Sequence, residues 1–241
     1  MIRTLACFGL ALLVMGCSES GQHELFYPAF ATPKTPSSFD VGTWTVTLDQ
    51  ASILFGPVYF CAAATGAATL CTTALAEIRK ESFINALDST PQPLGDVHGF
   101  SGTIRSASYD HGIHWFVTDK EPRAETNALD GHSAVFMGQA RRGGQTISFQ
   151  ARIDVPPSLQ GQRAVTRVLS PMTIDDENVQ LDIEFDVAPW FAGIDFDAAA
   201  TAGIDSLIIE PGSTMHSGIV SAMSNIAPPD FTWSDASTET P

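Results

Sequence analysis

Apolar and polar residues alternate along several stretches of this chain with the two-residue period of a half-buried strand. The cleanest is Val179-Gln-Leu-Asp-Ile-Glu-Phe-Asp-Val187, which puts Leu181, Ile183 and Phe185 on one face and Asp182, Glu184 and Asp186 on the other. Trp44, Val46 and Leu48 repeat the pattern near the start of the ordered region. Residues 132–140 and 145–155 flank Arg141-Arg142-Gly143-Gly144, whose glycine pair supplies the positive φ of a tight hairpin. Further extended segments are expected over residues 53–60, bent at Gly56-Pro57, over 97–117, and over 163–174. Helix is scarce: Thr72-Thr73 reads as the cap of a short helix over 74–80, and residues 219–223 as a second. Residues 91–96 and 120–131 read as polar loops. Short alternating segments with a turn signal every ten or so residues describe an all-β chain, an antiparallel β-sandwich with one or two short helices.

At the N-terminus, Arg3 precedes an apolar run from Leu5 to Met15 that is too short to span a bilayer, as in an export signal. The run closes on Val14-Met15-Gly16-Cys17, which resembles the lipobox of bacterial lipoproteins. That resemblance implies cleavage before Cys17 and a lipid anchor, including palmitate, on its sulfur and new amino terminus. Ser18 in place of Asp implies, by similarity to enterobacterial sorting, the outer membrane. The expected organisation is a signal peptide over 1–16, a lipidated Cys and flexible tether over 17–41, one sandwich domain over 42–233, and a frayed tail over 234–241. Leu25, Phe26, Tyr27 and Phe30 are unusual in a spacer, so this cluster is expected to dock on the domain or on a partner.

Loss of Arg3 with the signal leaves 11 basic against 27 acidic residues, a net charge of −16. Nucleic acid is disfavoured, because phosphate contacts need clustered Lys and Arg and no basic run is longer than a doublet such as Arg141-Arg142 in a turn. A peripheral grip on anionic lipid is disfavoured for the same reason, which leaves the membrane contact to Cys17. With Cys7 removed and Cys17 acylated, Cys61 and Cys71 are left to pair in an oxidising compartment. A loop of that length stabilises by about 3 kcal/mol in the chain-entropy model. Their ten-position offset fits no short zinc or iron–sulfur spacing.

The chain has no Gly-x-Ser-x-Gly elbow and no Ser-x-x-Lys, so no enzyme activity is expected. Asp182, Glu184 and Asp186, with Asp175 and Asp176, are either a solvated face or a calcium site. His98, His111, His114, His132 and His216 lie in or beside predicted elements. His111 and His114 fall on opposite faces of a regular strand unless Gly112 bulges it, and Asp110 and Trp115 are their neighbours. Met137, Met172 and Met215 add soft thioethers, and a His/Met set suits copper better than calcium or magnesium. Surface histidines and core methionines are the plainer account of the same residues.

The strand ending at Val187, then Pro189-Trp190-Phe191-Ala-Gly193, then Met215-His216 and the run to Asn225 with Phe231 after it, resembles the C-terminal part of the methanobactin-associated MbnP-like proteins. Those are exported β-rich proteins linked to copper handling. The segment from Gly131 through Phe149 is similar to them in its order of elements. The resemblance covers residues 131–231 as a pattern with few identities, and it implies that His216 belongs to a metal region. The expectation is therefore a lipid-anchored, non-catalytic envelope binding protein that holds or presents a transition metal such as copper through His98, His111, His114 and His216. The alternative is a metal-free structural or interaction lipoprotein, an accessory of an outer-membrane or surface complex. That alternative predicts an exposed apolar patch and histidines that do not converge.

Overall fold

The computed structural model describes residues 22–64, 74–114, 123–124, 129–156 and 168–236. The segment expected as a signal peptide, Cys17, Cys71 and Trp115 lie outside them. The alternation in the sequence becomes two sheets packed on one apolar core. The larger runs β13 (Val168–Ile174), β8 (Gly102–Tyr109), β4 (Val58–Cys61), β5 (Ala76–Ile78), β7 (Gln92–Phe100), β1 (Glu24–Pro33), β14 (Val179–Phe185), β16 (Asp230–Asp235). The smaller runs β15 (Ser206–Ile209), β12 (Gln145–Ile153), β11 (Ala134–Arg142), β3 (Trp44–Phe55), β2 (Phe39–Val41), with β6 (Ser82–Asn85) also paired to β3. A two-residue pair, β9 (Ile113–His114) with β10 (Arg123–Ala124), stands apart. The fold is all-β and sandwich-like, and mostly antiparallel; β1 with β14 and β12 with β15 run parallel.

Each strongly alternating segment is where the pattern puts it. Leu181, Ile183 and Phe185 of β14 are fully buried. The β11–β12 hairpin pairs Arg142 with Gln145 around Gly143 and Gly144, at φ 52° and 90°, values that a side chain would strain. The two edges of the larger sheet curl toward each other, and Trp233 Nε1 of β16 donates to Ser170 Oγ of β13 at 2.9 Å. Rings of Tyr27, Phe60, Tyr109, Phe231 and Trp233 pack inside that curl. The Pro189–Gly193 loop contains one 3-10 turn, Ala188–Phe191. Its Trp190 and Phe191 plug the core against Phe39, Phe136 and Phe149, and Trp190 Nε1 donates to Ala227 O at 2.8 Å.

Four expectations are corrected. The segment expected to be a tether contains β1, a central strand between β7 and β14, because Leu25, Tyr27, Ala29 and Ala31 alternate into the core. The helix expected over 74–80 is strand β5, in which Ala76 and Ile78 face inward and Glu77 outward. It lies so close to β7 that a Cβ at Gly99 would stand 2.3 Å from Ala76 Cβ, so only glycine permits the pairing. Residues 92–96, expected as loop, begin β7. A register shift opposite Ala29 and Phe30, with Gly95 at φ 95°, absorbs their Pro and Gly while Leu94 and Val97 bury. Finally, Ser234 and Asp235, assigned to the frayed tail, pair with Gln180 and Val179.

The helices are short. In α1 (Phe196–Thr201) Asp195 accepts the Ala198 N–H, and in α2 (Thr214–Ser221) Ser213 accepts the His216 N–H. That cap starts α2 five residues earlier than its apolar run suggests, and a π turn, Ala222–Ile226, prolongs it.

Candidate functional site

The histidines expected as ligands go to separate environments. His98 faces outward from β7, its Nε2 2.6 Å from Glu24 Oε1 and its ring stacked on Phe26 at 4.5 Å between centroids. His111 is buried, with Nδ1 3.2 Å from Leu54 O and the Tyr109 and Phe55 rings edge-on to it. Burial pushes its pKa down to about 4 against the weaker opposite pull of the Leu54 and Met223 carbonyls, so it is neutral at pH 7. His114 is placed only as backbone of β9, opposite Arg123. His216, on α2, accepts the Asp154 N–H on Nε2 at 3.2 Å. Desolvation lowers its pKa, with the Asp154 carboxylate pulling the other way. Ligation through Nε2 would require that hydrogen bond to break. Among the described residues, no three His, Cys, Asp or Glu side chains are placed to share a metal ion.

One pairing escaped sequence reasoning. His132 Nδ1 lies 2.7 Å from Asp154 Oδ1, so Asp154 joins two histidines, His132 through its carboxylate and His216 through its backbone. Sequence could have shown half of this, because the hairpin register that sets Ala134 opposite Ile153 brings the residues flanking the two arms together. A carboxylate on Nδ1 orients an imidazole as in hydrolases. Ser133, the adjacent hydroxyl, instead accepts the Val155 N–H at 3.1 Å. The cluster ties α2 to the open end of the hairpin.

The carboxylate row on β14 has partners within the protein. Asp182 accepts from Thr32 and Gln180, and Glu184 stands 3.6 Å from Lys34 Nζ. Lys34, Glu184, Asp186 and Asp230 line an open cleft of about 350 Å³. Another, of about 270 Å³, lies beside Trp44, where Arg142 sits 4.3 Å over the indole and both side chains donate to Asp197. Cys61, buried at the end of β4, is disulfide-bonded.

The outer face of the larger sheet carries a different kind of feature. Register sets Phe26 opposite His98 and Glu24 opposite Phe100, all four on the solvent side. Phe26 and Phe100 are each 48% exposed, and Pro28 and Phe30 continue the face along β1. Glu177, in the turn Asp175-Asp176-Glu177 before β14, accepts the Phe26 N–H on Oε1 at 3.0 Å. Two half-open phenyl rings therefore stand beside Glu24 and Glu177, and Asp175 and Asp176 precede Glu177 in the same turn. A phenyl ring stacked on an imidazole, with a second exposed phenyl on the paired strand, offers apolar area; the carboxylates offer charge.

No family model, no curated protein and no solved structure matches this chain.

Proposed function

We propose that this chain is a lipid-anchored bacterial envelope protein, non-catalytic, which works by holding a protein partner against the outer face of its larger sheet. The observation that carries this reading is the exposed Phe26–His98–Phe100 cluster where the start of β1 pairs with the end of β7, β1 beginning seven residue steps after Cys17. Covering the two rings is worth about 2 kcal/mol each at ~25 cal/mol per Å². The alternative contact, an anionic bilayer, would set about 1 kcal/mol of repulsion per nearby carboxylate against that gain. With four carboxylates on the rim the two effects roughly cancel, whereas a protein partner carrying cations would gain from both.

The Cys61–Cys71 disulfide and an outer-membrane destination belong to the same reading. Copper handling has the family resemblance and the His/Met composition behind it, and the separate partners of His98, His111 and His216 weigh against a shared ligand set. The test of the anchor is expression of the full chain in a diderm host with labelled palmitate. Label and membrane fractionation should both be lost in Cys17→Ala; an unlabelled wild-type chain, or a Cys17→Ala chain still in the membrane fraction, would reject it.

A further inference from the structure

From the rim and the reach of the chain we infer that the occupant of the Phe26–Phe100 face is a membrane-proximal segment of a partner protein with apolar anchors flanked by Lys and Arg. The inference rests on the lipid-anchored reading for its location and on charge complementarity for its chemistry.

Location follows from covalent geometry. Cys17 and His23 are six residues apart, and a fully extended chain of that length spans about 20 Å. His23 is already held by the domain: its N–H donates to Ser101 Oγ at 3.1 Å and its carbonyl accepts the Ser101 N–H at 2.8 Å. The turn between β7 and β8, and with it Phe100, is therefore fixed near the anchor.

Chemistry follows from what surrounds the rings. Phe26 and Phe100 are held on paired strands, so their presentation costs a partner little ordering. Phe26 is further fixed by its stack on His98 and by the bond from its N–H to Glu177. Glu24 and Glu177, with Asp175 and Asp176 in the turn that holds Glu177, bound the same pole, and on the side of β14 Asp182, bonded only to the neutral Thr32 and Gln180, continues the negative face. The nearby guanidinium of Arg79 is held by Glu77 at 2.5 Å. An apolar centre with a rim of one sign is the arrangement of an interface whose anchors bury and whose charges steer. Anionic phospholipid meets the wrong sign at this pole, and a second copy of this chain would set carboxylates against carboxylates.

The probe is a synthetic peptide with two Leu–Phe anchors flanked by Lys and Arg, labelled for fluorescence anisotropy. It is titrated into the full chain carrying Cys17→Ala, and into the lipidated chain in phosphatidylcholine nanodiscs. Binding is expected to both, weakening as salt rises. It should weaken about tenfold or more in Phe26→Ser with Phe100→Ser, and also in Glu24→Gln with Glu177→Gln, where the amide oxygen still accepts the Phe26 N–H. Phe83→Ser, a 55% exposed ring on β6 of the other sheet, should leave binding unchanged. Near-ultraviolet circular dichroism of each variant identifies any that has lost its fold, and Phe100→Ser alone serves as the milder replacement. Peptide binding indifferent to the Phe changes would overturn the inference, as would Phe26-dependent flotation of the Cys17→Ala chain with phosphatidylcholine vesicles. Patch-dependent peptide binding by a chain that takes up no palmitate would leave the binding chemistry standing and remove the anchor alone.

Discussion

His98 and His111 both lie among aromatic rings on the same sheet system, and they end in opposite conditions. His111 is enclosed by Phe55, Tyr109 and a carbonyl of β3, buried and neutral. His98 lies flat on a half-exposed phenyl ring with a carboxylate at its Nε2. The rings around His111 are part of the packed core, where every contact is already made within the chain. Those around His98 have one face still in water. Chemistry by residue type is thus a poor guide here; what the ring and the imidazole have left to offer decides whether a site belongs to the fold or to a partner.

The largest test of that contrast is the removal of the enclosed ring. Phe55→Ala removes a buried ring packed against Tyr109 and Phe185 and should cost about 3–5 kcal/mol in urea unfolding. A cost below about 1 kcal/mol would mean that the enclosure of His111 is loosely packed and open to a ligand.

Next comes pH. The folded pKa of His111, about 4, lies below the ordinary value of 6.5, so between these values the unfolded chain binds a proton that the folded chain refuses. Its neutral burial is fully tolerated above pH 6.5, and stability falls as pH drops toward 4, by about 3 kcal/mol in all. His216, also lowered, acts in the same direction. Unfolding free energies at pH 7, 5.5 and 4.5 should show a steeper decline for wild type than for His111→Gln. Equal slopes would place the acid sensitivity elsewhere.

The contrast also shows what sequence could tell. β14, the β11–β12 hairpin and the first half of β3 were legible because each buries one face against water on the other, which writes period two into the chain. β1 was not read as a strand, since Pro28, Pro33 and Ser-rich flanks carry the composition of a linker and two of its inward residues, Ala29 and Ala31, are small. β5 was mistaken for helix because Ala and Glu favour helix, and its three residues are too few for period to overrule propensity; pairing with a glycine-bearing partner decided it. Sequence counted the histidines correctly and could not place them, because convergence depends on long-range register. His132 met Asp154 through the hairpin, while His98 faces out from β7 and His111, two residues past the end of β8, is buried.

A smaller effect sharpens the metal question. His216→Ala removes the acceptor of the Asp154 N–H and should cost about 1–2 kcal/mol. Copper added to wild type should leave the melting temperature unmoved, since a ligand that binds the folded state raises it by mass action. A copper-dependent rise that disappears in His216→Ala would restore the metal reading and displace the partner surface as the chain's main business.

The smallest expected effect on the fold is the most telling for function. Phe26→Ser acts on a ring that is half in water and whose stacking partner, His98, is also anchored by Glu24, so stability should change by about 0.5 kcal/mol or less. Its backbone bonds to β7 and to Glu177 do not depend on the side chain. A Phe kept in water by a central strand contributes almost nothing to the sheet that carries it, and serine in its place would make the chain more soluble. If urea unfolding instead shows a loss near that of Phe55→Ala, then Phe26 is core in solution, the face is closed, and the two histidine environments are alike after all.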